Sequence, residues 1–369
     1  MTPGETGRVS AVHFPPGRDV PLGVVGRAAR QMLNGVLTGS MPTAPRLLEG
    51  GGMLGEARES TVLTPKGKMV ASLRVVGGMG VAAQEGEEGF LLLVPQAALE
   101  GLARHFQRYL PPRMARVVPL HQDWVVLSLA GEDVCGRLAE SGLFLPGLEG
   151  AELPGLTPAW GGTHPELGDL VGVSSQGLSV PSWDLLVQEG SLPALHELLE
   201  RTGVEAAPAG LAEIFRVERG SPEYGMELNP DTIPVEAGMQ HRAIDHTKGC
   251  YTGQEVIVRI RDRGRVNRHL RGLLLGTETP PPSGTSLFQP DGTRPVGETA
   301  TAVVSEVMGG TIALGYVRRE VEPPAVVHLG TPEGPPVQVR EITDEGWTLL
   351  PDDAGYPGRS GLHGAGHSR

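Results

Sequence analysis

The hydrophobic pattern of the first part of the chain mixes two periods. Apolar runs of strand length cover 61–63, 68–76 and 89–94, and turn-forming proline and glycine residues separate them. Apolar residues then return at helical spacing at Ala98, Leu102 and Phe106, which predicts a helix from Pro95 to Tyr109. Further helices are predicted over 28–37, 131–141, 191–201 and 209–218. This mixture of elements predicts an α+β arrangement.

The pattern changes at Val266. Five short apolar runs follow, separated by turns, at 266–275, 302–307, 312–317, 325–329 and 337–342. They predict a small C-terminal antiparallel barrel or sandwich over 266–347. The polar, Gly- and Pro-rich ends predict a flexible N-terminus over 1–20 and a disordered tail over 351–369.

Neighbouring apolar runs also predict two strand pairings within 21–265. The first pairs 115–120 with 124–129, and the second forms a hairpin from 170–173 and 177–180. We expect the region 21–265 to hold two α+β subdomains.

Composition narrows the class of protein. The 369 residues are 39% hydrophobic, which is enough for a core in each of two or three domains. The net charge of −12 argues against nucleic-acid binding over the whole surface. No apolar run is long enough to cross a bilayer, and 1–20 lacks the apolar segment of a secretory signal, so we expect a cytoplasmic protein with no membrane contact.

The cysteine count excludes two kinds of site. Cys135 and Cys250 are the two cysteines of the chain. Two thiols cannot build a disulfide framework, nor can they hold a four-thiolate iron–sulfur or zinc site within one chain. We therefore expect no self-contained metal site.

One segment carries distinctive chemistry, the octapeptide Lys248-Gly249-Cys250-Tyr251-Thr252-Gly253-Gln254-Glu255. Two glycines free the backbone around Cys250, and a helix is predicted to begin at Gln254. The N–H groups of a helix start and the ammonium of Lys248 both favour a thiolate, whereas Glu255 opposes it. The alternative is an unreactive cysteine that only fills space in a loop.

Two clusters of charged residues are further candidates for binding. Arginines recur at Arg259, Arg261, Arg263 and Arg265, and continue at 268 and 271. They predict a positive patch for an anionic small molecule, RNA or an acidic protein partner, unless they pair with surface carboxylates. The second cluster combines two carboxylates with an arginine and a tyrosine; its members are Arg216, Glu218, Tyr224 and Glu227. We expect these residues either to line a cavity between domains or to form a structural ion-pair network.

These motifs resemble a known family. The segments Arg216–Gly220, Tyr224-Gly225-x-Glu227 and Pro234-x-Glu236-Ala237-Gly238 resemble the folate-binding signature of the glycine-cleavage T-protein superfamily. The octapeptide is similar to the K-G-C-Y-x-G-Q-E signature of its YgfZ branch. The resemblance implies a three-domain cloverleaf with a split α+β domain, a ferredoxin-like domain over roughly 85–190 and a C-terminal antiparallel β-barrel.

The same resemblance implies a function. It implies a tetrahydrofolate-type ligand held by Arg216, Glu218, Tyr224, Glu227 and Tyr251, with Cys250 and Lys248 as the functional pair. YgfZ-like proteins are accessory factors in the assembly or repair of iron–sulfur clusters, and they affect cluster-dependent tRNA modification. The expected partners are iron–sulfur proteins, cluster-assembly factors and tRNA-modifying enzymes.

The sequence departs from the aminomethyltransferases of the superfamily at two positions. These enzymes carry acids in the segments that match 70–73 and 172–177, whereas this chain has Ser72 and Ser175 there, with no carboxylate in either segment. Loss of an acid that orients or deprotonates a folate would slow such chemistry. The sequence therefore favours the accessory role, with two alternatives: an aminomethyltransferase that moves a one-carbon unit to tetrahydrofolate, and an RNA-contacting module built on the arginine run.

Overall fold

A computed structural model describes residues 9–49, 51–143, 157–290 and 292–350. The predicted tail over 351–369 and the first eight residues of the predicted flexible N-terminus lie outside this range. Within it the chain forms six α-helices: α1 Ala29–Val36, α2 Leu99–Tyr109, α3 Val134–Glu140, α4 Leu192–Arg201, α5 Leu211–Arg219 and α6 Gln254–Arg263. Single 3-10 turns precede or connect several of these helices: Gln96–Ala98, Leu120–Gln122, Glu189–Ser191 and Pro234–Ala237.

The first twelve strands join in one sheet. They are β1 Val12–His13, β2 Asp19–Gly26, β3 Arg46–Leu47, β4 Met53–Leu63, β5 Met69–Gly77, β6 Glu88–Pro95, β7 Arg116–Val118, β8 Trp124–Ala130, β9 Thr157–His164, β10 Gly168–Ser175, β11 Ser182–Gln188 and β12 Glu205–Ala206. Their spatial order is β12-β1-β8-β11-β10-β9-β4-β5-β6-β2-β7, with β3 beside β4. The pairing of β4 with β9 joins two half-sheets that are far apart in sequence.

Each half-sheet has its own helical cover. Helices α1 and α2 bury Leu33, Leu102 and Phe106 against β2, β5 and β6. Helices α3 and α4 bury Leu138 and Leu195 against β8 and β11. A strand exposes alternate residues on opposite faces, so the remaining side chains of these strands point away from the helices.

Those remaining faces pack against each other. Side chains from both half-sheets form one apolar cluster: Ala57, Val76, Met79, Leu91, Leu93, Val126, Ala159, Val171, Val173 and Leu186. We call this apolar cluster the seam. Every second residue of a strand lies on the same face, and along that face the seam is followed by polar positions. Val76 leads to Arg74 and Ser72, Val126 to Ser128, and Leu186 to Asp184. The alternation that builds the core thus also places polar groups at one end of it.

The C-terminal region is a closed antiparallel barrel. It consists of β13 Arg268–Leu275, β14 Ser286–Phe288, β15 Pro295–Ser305, β16 Gly310–Arg318, β17 Ala325–Leu329 and β18 Pro336–Arg340, followed by a short hairpin of β19 Ile342–Thr343 and β20 Gly346–Trp347. Leu273, Ala313 and Val339 belong to its core. Ile312 and Leu314 form a second cluster with Val217 of α5, so this helix docks the barrel on the central region.

The fold class predicted from the sequence is confirmed: the protein has mixed α and β structure, a large sheet and a closed antiparallel barrel. Both predicted strand pairings are wrong. Strand β7 pairs with β2, while β8 lies between β1 and β11. Strand β10 does form a hairpin, but its partner β11 begins at Ser182, beyond the predicted 177–180. Residues 9–20 differ from a flexible segment, because they hold β1 and the start of β2.

Candidate functional site

A small cavity lies at the polar end of the seam between the half-sheets. It is lined by strands β2, β5, β6, β8, β10 and β11, by α5, and by the loop that follows α5. Its enclosed volume is about 170 Å³. We call it the central cavity, and it is small beside the roughly 300–1,000 Å³ of typical ligand sites.

A buried arginine with two carboxylates dominates the polar wall. Arg74 of β5 donates to Asp19 of β2 at 2.9 Å and to Asp184 of β11 at 2.5 Å. Ser128 of β8 donates to the other carboxylate oxygen of Asp184. One guanidinium therefore faces two carboxylates at this point of the wall. Across the whole lining the charges balance, with four arginines against four carboxylates.

The pKa values of this group follow from burial and mutual attraction. Burial raises the pKa of Asp19, and the neighbouring carboxylate of Asp184 adds to the rise, while Arg74 opposes it. Burial alone would lower the pKa of Arg74, but the two carboxylates outweigh it and raise the pKa above its ordinary value. The guanidinium thus stays charged.

Carboxylates from other strands lie beside the two motif segments that lack an acid. Ser72 and Ser175 both line the central cavity, and so do Asp19 and Asp184. The cavity therefore contains carboxylates, although the two matched segments contain none. Asp184 was not predicted, because it lies outside those two segments. The available signal was a charged residue at a buried position directly before the apolar run 185–187.

Arg216 serves mainly as a structural ion-pair centre. Its side chain is 3% exposed and donates to Glu227, itself fully buried, at 2.8 Å. Further contacts are with Glu213 at 2.7 Å and with the carbonyl oxygen of Ser221 at 2.8 Å. Thr301 of the barrel donates to Glu227 at 2.5 Å. Arg216 borders the central cavity, but most of its donors are committed to Glu213 of α5, to the loop after α5 and to Thr301 of the barrel.

Glu218 and Tyr224 occupy different places. The Glu218 carboxylate accepts hydrogen bonds from Ser179 at 2.8 Å and from Ser305 of the barrel at 2.6 Å. It is absent from the described cavity lining, as is Glu227. Tyr224 is buried and lines the cavity, and burial raises the pKa of its hydroxyl. Of the predicted folate contacts, only Arg216 and Tyr224 thus reach the described wall of this cavity.

The octapeptide docks on the segment after α1. The Lys248 ammonium donates to the carbonyl oxygens of Leu37 at 2.8 Å and Gly39 at 2.7 Å. The Thr252 N–H donates to the carbonyl oxygen of Gly35 at 3.0 Å. Cys250, between these two anchors, is exposed. The thiol is therefore presented to solvent by a loop that is held on both sides.

Tyr251 and Lys248 of the octapeptide contact the residues around the loop. Tyr251 is buried against Leu63, Ile244 and Ile257, away from the described lining of the central cavity, and burial raises its pKa to about 12. Helix α6 begins at Gln254, as predicted. Burial lowers the pKa of Lys248 to about 8, against the opposing attraction of Asp245. The lysine holds the loop through its two carbonyl contacts and does not line the described cavity wall.

The predicted arginine patch divides into two pairs. Arg261 and Arg265 line a cleft between α6, the segment before it and the barrel, with a volume of about 880 Å³. We call this the α6 cleft. Arg259 and Arg263 are exposed and do not belong to its described lining. Helical geometry separates Arg261 from Arg259 and Arg263, because residues two apart on a helix point in different directions. Arg265 lies beyond the end of α6, after the extended Gly264.

Two further observations concern metals and membranes. Within the described ranges, no group of three or more His, Cys, Asp or Glu side chains is arranged to hold a metal ion. No helix of the described residues combines the length and the apolar character needed to cross a membrane.

The architecture and the cavity define a class of fold. The structure aligns with the glycine cleavage system aminomethyltransferase T from Bartonella henselae at a TM-score of 0.73, covering 91% of this chain and 87% of that one at 20% identity. The protein thus has the multidomain T-protein fold.

Sequence similarity points the same way. An aminomethyltransferase from Rubrobacter xylanophilus is 28% identical over 257 residues, which span 66% of this chain and 63% of the relative. Another from Corynebacterium jeikeium is 31% identical over 134 residues, 36% of this chain and 33% of the relative. A third, from Synechococcus elongatus, is 26% identical over 75% of this chain. No family model matches the sequence. The similarities support the T-protein-like superfamily, and the YgfZ branch stays a prediction.

Proposed function

We propose that this protein is a folate-binding accessory factor that supports the assembly or repair of iron–sulfur clusters through Cys250. The observation that carries the proposal is the exposed thiol in a loop anchored at Lys248 and Thr252. A thiolate is a suitable ligand for cluster iron. One cysteine supplies one of the usual four ligands, so the cluster is cargo shared with a partner.

The partners in this proposal are iron–sulfur proteins or cluster-assembly factors in the cytoplasm. Enzymes of cluster-dependent tRNA modification are among the clients. The exposure of Cys250 supports this, because a ligand that is handed between proteins must be reachable from both.

The central cavity offers suitable partners for the pterin ring of a tetrahydrofolate. A pterin presents adjacent N–H donors, and a carboxylate such as Asp184 can accept two of them. Phe14, Leu93 and Met239 supply apolar wall, and Tyr224 supplies a buried hydroxyl. The volume of about 170 Å³ can enclose only part of a folate, so the rest would extend through the cavity mouth. A bound tetrahydrofolate would supply a carrier for one-carbon units.

The first test replaces the thiol. In cells that depend on this protein, Cys250→Ala should lower the activity of iron–sulfur enzymes under oxidative stress to the level of a deletion. Cys135→Ala is the matched control, because Cys135 is also exposed but lies in α3. Normal enzyme activity with Cys250→Ala, or an equal loss with Cys135→Ala, would contradict the role of Cys250.

The second test measures the binding of a folate in the central cavity. Calorimetry with folinic acid, a stable tetrahydrofolate derivative, should give saturable binding that weakens about tenfold or more in Asp184→Asn, because a charged acceptor is lost. The control is Glu56→Gln, which removes a 4% exposed carboxylate outside the described cavity lining. Absence of binding to the unchanged protein would contradict the folate proposal, and equal weakening in both variants would remove Asp184 from the site.

The alternative activity is aminomethyl transfer to tetrahydrofolate. It is favoured by the relatives named aminomethyltransferase and by the carboxylates that the central cavity regains from β2 and β11. An assay of methylenetetrahydrofolate formation with an aminomethyl-lipoyl donor distinguishes the two. Turnover that is abolished by Asp184→Asn but not by Cys250→Ala would favour the enzyme over the accessory factor.

A further inference from the structure

The α6 cleft is a second, larger concavity near the octapeptide. His246 before the octapeptide and Ile257 after it both line the cleft, and Tyr251 packs on Ile257. At about 880 Å³ its volume falls within the range of sites that take small organic ligands. The described lining shares no residue with that of the central cavity.

The charged groups of the cleft leave two guanidinium groups free. Arg261 is held by Asp262 at 2.6 Å. No carboxylate of the described residues lies within 4.0 Å of Arg265 or Arg319, and both side chains are exposed. Of the two acids in the lining, Glu320 lies 3.8 Å from Arg318.

The other acid, Glu322, has no arginine or lysine of the described residues within 4.0 Å. Two free guanidiniums against one free carboxylate leave a net positive cleft on a protein whose net charge is −12. Arginines without a protein partner are suited to carboxylate, sulfonate or phosphate groups.

The rest of the lining combines apolar side chains with three histidines. Val235, Ile257, Ile260 and Val266 form apolar wall. The histidines are His241, His246 and His269. A ligand in the cleft would thus meet two unpaired guanidinium groups beside an apolar surface.

We propose that the α6 cleft binds a small organic anion with an apolar body. The anionic group would pair with Arg265 and Arg319, and the apolar body would cover the isoleucine and valine wall. This site is distinct from the central cavity and does not depend on the folate proposal.

Anilinonaphthalene sulfonate combines an anionic group with an apolar body and serves as the probe. A fluorescence titration of the full chain should give saturable binding at one site per chain. The double variant Arg265→Gln/Arg319→Gln should weaken it about tenfold or more, because two charge-assisted contacts are lost. The matched control is Arg259→Gln/Arg263→Gln, which removes the same charge from exposed positions outside the described lining and should bind as the unchanged protein does.

Three results would overturn the proposal. They are the absence of saturable binding, equal weakening in both double variants, and displacement of the probe by folinic acid. Thermal melting of both variants checks that they fold. If the arginine double variant unfolds, Arg319→Gln alone replaces it, and unchanged probe affinity in that variant would overturn the proposal.

Discussion

Lys248 shows at the scale of one residue how burial and hydrogen bonding combine. Two carbonyl oxygens hold its ammonium, and its half-buried position lowers its pKa to about 8. In the unfolded chain a lysine keeps its proton up to about 10.4. Between these values the unfolded chain binds more protons than the folded chain, so the free energy of unfolding must rise with pH.

We therefore expect a stability gain from pH 7.5 to 9.5 that depends on Lys248. Urea unfolding should show a rise of at most about 2 kcal/mol in the unchanged protein. Lys248→Met should remove that rise, whereas Lys66→Met, at an exposed lysine, should keep it. A rise of equal size in both variants would show that another group is responsible.

Residues of the candidate site were predictable where a local motif presents them. The exposure of Cys250 and the helix start at Gln254 follow from glycines and polar residues that are adjacent in sequence. Arg74 and Asp184 were not predicted, because they lie 110 residues apart and meet only through strand pairing. A charge within an apolar strand is a signal, but the sequence alone does not name its partner.

At the scale of elements, Gly253 decides how α6 docks. Its φ of 84° is in the left-handed region, and an added Cβ would lie 2.6 Å from the carbonyl oxygen of Thr64 and 2.9 Å from the Leu63 side chain. Both contacts are shorter than real Cβ contacts. Gly249, on the other side of Cys250, has nothing within 4 Å of such a Cβ.

The two glycines should therefore respond differently to alanine. Gly253→Ala should lower the free energy of unfolding by about 1–3 kcal/mol, because it combines left-handed strain with a steric clash. Gly249→Ala should change stability by less than about 0.5 kcal/mol. Chemical denaturation measures both, and equal effects would contradict the structural difference between the two glycines.

Helices and strands were predicted well where their hydrophobic periodicity is long and uninterrupted. Helix α4 at Leu192–Arg201 and strand β16 at Gly310–Arg318 match the expected segments within two residues. Strand β15 begins at Pro295, seven residues before the predicted 302, and its register shifts between Thr299 and Ala302. Such an irregularity interrupts the two-residue alternation, so the pattern revealed only the second part of the strand.

At the scale of the whole molecule, α5 joins the central region to the barrel. Glu227 receives hydrogen bonds from Arg216 and from Thr301 of the barrel, while Glu218 receives them from Ser179 and Ser305. The first junction contains a fully buried ion pair. The second contains hydroxyl groups, and no arginine or lysine of the described residues lies within 4.0 Å of the Glu218 carboxylate.

We expect Glu227→Gln to destabilise the junction by about 2–3 kcal/mol, since it removes the fully buried counterion of Arg216 while Glu213 stays at 2.7 Å. Amide hydrogen exchange should speed up in β15 and β16. Glu218→Gln should cost about 1 kcal/mol, because it weakens two hydrogen bonds without exposing a buried charge. The proposed role of the ion pair is contradicted if the two variants cost the same.

By itself the amino-acid sequence determined the periods of the main helices and strands, the change to a barrel near residue 266, and a glycine-flanked cysteine just before a helix. These properties depend on residues that are close together along the sequence. Only the tertiary structure decided that Asp19, Arg74 and Asp184 share one wall and that four arginines split between a cleft and open surface. The physical reason is that strand pairing and helix docking bring together side chains whose separation along the chain carries no record of the contact.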